Sequence, residues 1–179
     1  LWVREADKEN RFWADAAKVS REYLKKAAHS KTWLTPEYAG FDGMPTDPPW
    51  GGGHDAFRFD AWRVAMNVAM DHVWFQKDPW AVTQSNRLLD FFTTEGLDSY
   101  VNQYTLDGQC LSQERSSGLM AMNAVACLAA THENREAFVQ ALWDQSIPAG
   151  QYRYYDGLLY MLAMLQLSGQ FQIYYPAQR

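Results

Sequence analysis

The sequence predicts an all-α fold: a row of helix pairs in which one member of each pair faces outward and the other is buried. Two observations carry this reading. Apolar periodicity alternates along the chain between helices with one apolar side and helices apolar around most of their circumference. No strand of credible length interrupts them. Repeated outer and inner helices are the building unit of α/α toroids and solenoids. Three such pairs make half of a closed six-pair barrel, whose open edge exposes inner-helix surface; a free-standing array of six helices is the alternative.

The elements follow in order. Glu9 to His29 reads as an amphipathic helix, with Phe12, Trp13, Ala16, Ala17, Val19, Tyr23 and Leu24 on one side and Lys18, Arg21, Glu22 and Lys25 on the other. Residues 30–49 are connection, punctuated by Thr35-Pro36, Asp42-Gly43, Pro45, Pro48 and Pro49. Trp50 then leads into Gly51-Gly52-Gly53, where backbone freedom at positive φ or close approach is expected. From Ala56 to Phe75 a second helix is apolar on most sides, through Phe57, Phe59, Trp62, Val64, Met66, Val68, Met70, Val73 and Trp74. Its polar exceptions, Asp60, Arg63, Asn67 and Asp71, stack in one narrow stripe. That stripe is either a solvated face with a surface ion pair at its top, or the wall of a wet cleft with Asp60 at its mouth.

Asp78-Pro79 supplies an N-cap and a first-turn proline for an amphipathic helix to about Thr94. Residues 95–115 form a long link containing Tyr100, Tyr104 and Asp107-Gly108. Ser116 or Ser117 caps the next helix, which runs to about Thr131. Its Gly118, Ala121, Ala124, Ala126, Ala129 and Ala130 suit a buried, closely approached element. A short amphipathic helix spans His132 to Trp143, a Pro/Gly break covers Ile147 to Gln151, and an almost wholly apolar helix runs from Tyr154 to Ser168 before Gly169 stops it.

At 179 residues and 20.6 kDa, a single domain with a real core is expected. A net charge of −5, a pI near 5.3 and the lack of any basic run disfavour a nucleic-acid partner. No segment is apolar for long enough to span a membrane, and no signal-peptide pattern is present. The compartment is left open. The chain opens at Leu1 and enters a helix pattern within a few residues, as expected of the middle of something longer. Cys110 and Cys127 imply no disulfide framework, and Cys127 reads as a small core residue. Aromatic residues make up 15% of the chain; they suit a core, and Trp and Tyr also suit stacking against sugar rings.

Chemistry narrows by elimination. His29, His54, His72 and His132 are scattered without ligand spacing, so neither a metal nor any other cofactor is implied. There is no Gly-x-Ser-x-Gly elbow, neither cysteine has electropositive sequence neighbours, and the glycine run lacks the Lys-Ser/Thr of a phosphate loop. Carboxylate chemistry on an aromatic scaffold remains. Glycoside hydrolysis needs two carboxyls, one protonating the leaving oxygen and one activating water or attacking. Asp60 is the best single candidate, because Arg63 one turn on favours an ionised carboxylate, which suits a base. Asp55, Asp71, Asp107, Glu114 and Asp156 have weaker claims as caps, turns or surface groups, and none stands out as the acid. Tyr152 and Tyr155 share a face at the start of the last helix, where core packing competes with sugar contact.

Phe57-Arg58-Phe59-Asp60-Ala61-Trp62-Arg63-Val64 with its Gly/His lead-in resembles the signature of glycoside hydrolase family 8. Gly118-Leu119-Met120-Ala121-Met122-Asn123-Ala124 and Tyr154-Tyr155-Asp156-Gly157-Leu158-Leu159-Tyr160 match it further. Phe41-Asp42-Gly43-Met44-Pro45 resembles the lead-in of the xylan-active branch, notably the reducing-end xylose-releasing exo-oligoxylanases. The resemblance spans almost the whole chain. It implies an (α/α)6 barrel, inverting cleavage of β-1,4 links, and xylan or xylo-oligosaccharide as substrate. It makes Asp60 the general base with Arg63 its support, and Phe59, Tyr152, Tyr155, Trp50 and His54 substrate-binding residues. It also implies that residues 1–179 are the C-terminal half of one catalytic domain, since the family's general-acid Glu lies in the N-terminal half. Exo-acting members narrow the cleft with a bulky His/Pro segment where this chain has Arg115-Ser116-Ser117, so endo action stays open beside exo. Cellulose, chitosan or mixed-linkage glucan as substrate, and a carbohydrate-binding protein without catalysis, are the competing expectations.

Overall fold

A computed structural model describes residues 11–173. Among these residues the regular structure is helical: α1 (Phe12–Ala27), α2 (Trp62–Phe75), α3 (Trp80–Glu95), α4 (Ser117–Ala126), α5 (Arg135–Asp144) and α6 (Arg153–Leu167). Short 3-10 turns, Phe59–Ala61 and Gly150–Tyr152, lead into α2 and α6. The alternation expected from periodicity is present, with α4 at the centre. It packs on α6 and α2 as inner neighbours, and on α5 and α3 behind them. Gly118, Ala121, Ala124 and Ala126 on α4 are all buried, and these small side chains let the neighbouring helices approach closely.

Two helix boundaries differ markedly from the sequence expectation. The second helix starts at Trp62, not Ala56, because Phe57 instead pairs by backbone with Tyr104 in an isolated bridge. The helix expected to reach Thr131 ends at Ala126; residues 127–129 continue in tighter turns, their amides bonding to carbonyls three residues back. Of the three consecutive glycines, Gly53 alone takes positive φ, at +81°.

Helix ends follow local chemistry. Asp78 accepts a hydrogen bond from the Trp80 amide at 3.0 Å and opens α3. Ser116 caps α4, its Oγ accepting from the amides of Gly118 and Leu119 at 3.0 and 3.2 Å. Gly169 at φ +73° follows the end of α6.

The link between α3 and α4 is pinned by aromatic packing. Tyr100 and Tyr104 are 3% and 0% exposed, and both rings pack on Phe92. Much of the aromatic content is therefore core, with Trp62, Phe57 and Phe138 also buried. Cys127 is core as well, and burial pushes its thiol up to about 12, leaving it protonated and inert.

Inner-helix surface is exposed along α6. Tyr154, Leu158, Met161 and Leu165 form one stripe, and the first of them is 78% exposed. Trp74 and Phe75 at the end of α2 are also exposed, as are Phe12, Trp13 and Val19 on α1. Helix α1 buries only Ala27 and is tied down largely by polar groups: Arg21 forks onto Asp71 at 2.6 and 2.7 Å, and Lys25 meets Asp78 at 2.8 Å.

Candidate active site

The sequence around Phe59 builds a sharp corner. Arg58 is extended, Phe59 takes a positive φ of +27°, and the chain then closes into the 3-10 turn that carries Asp60. A non-glycine residue at positive φ persists only where its surroundings hold it. Two groups do so here. The phenol of Tyr155 donates to the Phe59 carbonyl at 2.9 Å, and the guanidinium of Arg58 lies over the Phe59 ring at 4.8 Å from its centre.

Asp60 therefore belongs to the turn before α2, while Arg63 sits in the first turn of that helix. They still pair, Arg63 Nη2 to Asp60 Oδ1 at 2.5 Å, with both side chains a little under half exposed. The polar stripe expected along α2 is thus divided. Its upper end lines a cleft; its lower end, Asp71, is consumed by the ion pair with Arg21.

The cleft has a volume of about 350 Å³. Phe59, Asp60 and Trp62 form one wall, Tyr152, Tyr155 and Asp156 another, and Asn102, Glu114, Arg115 and Ser116 the end. Tyr155 tilts against the Trp62 ring at 5.9 Å, and burial pushes its phenol up to about 12, so it remains a donor. Asp156 accepts from the hydroxyls of Ser116 (3.1 and 3.2 Å) and Ser117 (3.2 Å), which spends its oxygens on the start of α4. A second hollow shares Arg115, Ser116, Tyr152 and Asp156 with the cleft and continues it past Ser117 to Ile147 and Pro148.

Of the predicted site residues, Phe59, Asp60, Tyr152 and Tyr155 meet in the cleft, with Arg63 bonded to Asp60. Trp50 and His54 do not line it. Trp50 stands 76% exposed with its ring edge-on to Tyr38, and His54 faces away into a contact with Glu37. Sequence reasoning gave no weight to Glu37 or Asn102. Neither lies in a recognisable motif, and no spacing rule connects residue 37 or 102 to residue 60.

An acidic group on an aromatic cleft wall of an α/α array is a glycosidase-like arrangement, and comparison with known proteins decides the family. The profile of Glycosyl hydrolases family 8 matches residues 2–169. The chain belongs to glycoside hydrolase family 8. It is 42% identical over 177 residues to the reducing-end xylose-releasing exo-oligoxylanase Rex8A of Paenibacillus barcinonensis, covering 97% of this chain and 46% of that protein. It is 40% identical to the corresponding enzyme of Halalkalibacterium halodurans, covering 98% of this chain and 45% of that one. A crystal structure of a family 8 protein from Teredinibacter turnerae with xylobiose superposes with a TM-score of 0.91 at 47% identity, covering 96% of this chain and 44% of the other. The chain thus spans about half the length of the curated relatives it matches, and its helices form about half of the family's (α/α)6 barrel.

Proposed function

We propose that residues 1–179 are the C-terminal, base-bearing half of a single family 8 catalytic domain that hydrolyses β-1,4-xylosidic bonds with inversion. One observation carries this reading: the Asp60 carboxylate stands on the cleft wall, bonded to Arg63 and framed by Phe59, Tyr152 and Tyr155. Asp60 takes a proton from the water that attacks the anomeric carbon. A carboxylic acid from the N-terminal half protonates the departing oxygen, across a gap of roughly 6.5–9.5 Å that admits the water. The same half covers the apolar stripe on α6 and the exposed ends of α1 and α2. A xylan substrate is supported by the exo-oligoxylanase relatives and by neighbours solved with xylobiose and xylohexaose.

Endo action is favoured over strict release of one reducing-end xylose. Arg115 is folded back: its guanidinium donates to the carbonyls of Leu97 and Asp98 and lies over Tyr100. The Ser116 hydroxyl is occupied by its cap and by Asp156. No long side chain of this segment is free to close the groove that runs on from the cleft. The full-length enzyme with xylohexaose labelled at its reducing end tests this. A spread of labelled oligomers is the expected result, with the new reducing end of each unlabelled product first formed as the α-anomer. Labelled xylose alone would establish exo action, and no cleavage, or β-anomers first, would overturn the reading.

A further inference from the structure

We infer that Glu37 is a positioning residue for Asp60, its carboxylate fixing the strained turn from the side opposite Tyr155. The inference rests on the reading of Asp60 as general base. Glu37 follows Thr35-Pro36 in the connection after α1, and its own amide is tied to the Ala56 carbonyl at 2.9 Å. Its side chain is only 6% exposed. A buried carboxylate needs compensating partners at both oxygens, and these partners all come from the segment that leads to Asp60. Oε2 meets His54 Nδ1 at 2.7 Å and Arg58 Nε at 3.3 Å; Oε1 accepts from the backbone amide of Asp60 at 3.4 Å.

The peptide group that joins Phe59 to Asp60 is therefore held at both ends by two different elements. Tyr155 on α6 takes the Phe59 carbonyl, and Glu37 takes the Asp60 amide. Immediately before this peptide group lies the positive φ of Phe59, a conformation that relaxes if either hold is lost. Arg58 couples the two, since its guanidinium reaches Glu37 and also covers the Phe59 ring. Glu37 itself does not line the cleft, so it acts through Asp60 and not on the sugar. His54 then serves by saturating Glu37, which gives the Gly/His lead-in of the motif a physical role without sugar contact.

The test compares full-length wild-type, Glu37→Gln and Asp60→Asn enzymes on xylohexaose. An amide at residue 37 turns an N–H group towards donors that now meet only oxygens, while keeping size and shape. The proposal expects kcat to fall about 10- to 100-fold in Glu37→Gln, with KM within about threefold and Tm nearly unchanged, because misplacing a catalytic group by an ångström has costs of this order. Wild-type kcat in Glu37→Gln, or a loss that appears in KM or Tm and not in kcat, overturns the proposal while leaving the base assignment intact if Asp60→Asn is inactive. Retained turnover in Asp60→Asn overturns the base assignment and, with it, any action of Glu37 through Asp60. Should Glu37→Gln not fold, Glu37→Asp keeps the charge and withdraws it by one methylene. The same split, with kcat down about tenfold, is expected there, and unchanged kcat overturns the proposal.

Discussion

The Tyr155 phenol donates a hydrogen bond to the Phe59 carbonyl at 2.9 Å, joining the last inner helix to the turn that carries Asp60. The two residues lie 96 positions apart in sequence. Through this contact the position of one wall of the cleft sets the backbone of the other.

Tyr155→Phe keeps the ring packing on Trp62 and removes only that donor. We expect a loss of stability of about 1 kcal/mol and a larger relative loss of kcat than of affinity for xylohexaose, read from steady-state kinetics of the full-length enzyme. The variant also has a pH signature. Burial raises the folded-state pKa of Tyr155 from 10.0 to about 12. The folded state thus keeps its proton where the unfolded chain loses it, so stability is unaffected below pH 10 and falls as pH rises towards 12. Urea unfolding between pH 9 and 11 should show a shallower alkaline decline in Tyr155→Phe than in wild type.

Ser116 caps α4 and donates to Asp156 at once. Ser116→Ala removes the cap from a buried helix end and should destabilise by about 1–2 kcal/mol, measured by urea unfolding. Ser117→Ala, which loses only its bond to Asp156, should cost less.

Gly118 lies where α4 touches α6. A Cβ there would stand 2.7 Å from Asp156 Oδ1 and 3.0 Å from Leu159 Cδ1. Gly118→Ala must displace a carboxylate already held by Ser116 and Ser117, or part the helices. A destabilisation of about 1–3 kcal/mol is expected, accompanied by a fall in activity because Asp156 lines the cleft. Unchanged unfolding midpoint and kinetics would show that the contact yields freely.

Asp78 joins α1 to α3. Desolvation pushes its pKa up, but the hydrogen bonds from Lys25 and the Trp80 amide outweigh this and leave it below its ordinary 3.8. Its contribution is therefore complete above the unfolded-state value and is lost as pH falls through the folded-state one. Asp78→Asn keeps an acceptor for the Trp80 amide but loses the ion pair with Lys25, and should cost about 0.5–1 kcal/mol near neutral pH; the difference from wild type should shrink as unfolding is followed from pH 5 down to pH 3.

Sequence legibility tracked how local each cause was. The helix order, the Ser116 cap, the Asp78 bond to the Trp80 amide (one residue ahead of the Pro79 cap position) and the stop at Gly169 follow from neighbouring residues, so periodicity and capping rules point to them. The start of α2 was misplaced because Phe57 pairs with Tyr104, a partner 47 residues away that no local pattern signals. At the candidate site, Asp60 and Arg63 were visible as a spaced pair inside an apolar run. Tyr152 and Tyr155 were visible as a cluster, although tyrosines as conspicuous, Tyr100 and Tyr104, proved to be core. Glu37 was not visible, since its bond to the Asp60 amide depends on how the 30–58 connection folds back on itself.

The most direct test of the account is the turnover number of the full-length Asp60→Asn enzyme on xylohexaose, with binding followed in parallel by calorimetry. Removing a general base should lower kcat by about 10²- to 10⁴-fold while xylohexaose still binds with an affinity close to wild type. Turnover within tenfold of wild type would contradict the assignment of Asp60 as the base and return the search for that group to the other half of the barrel.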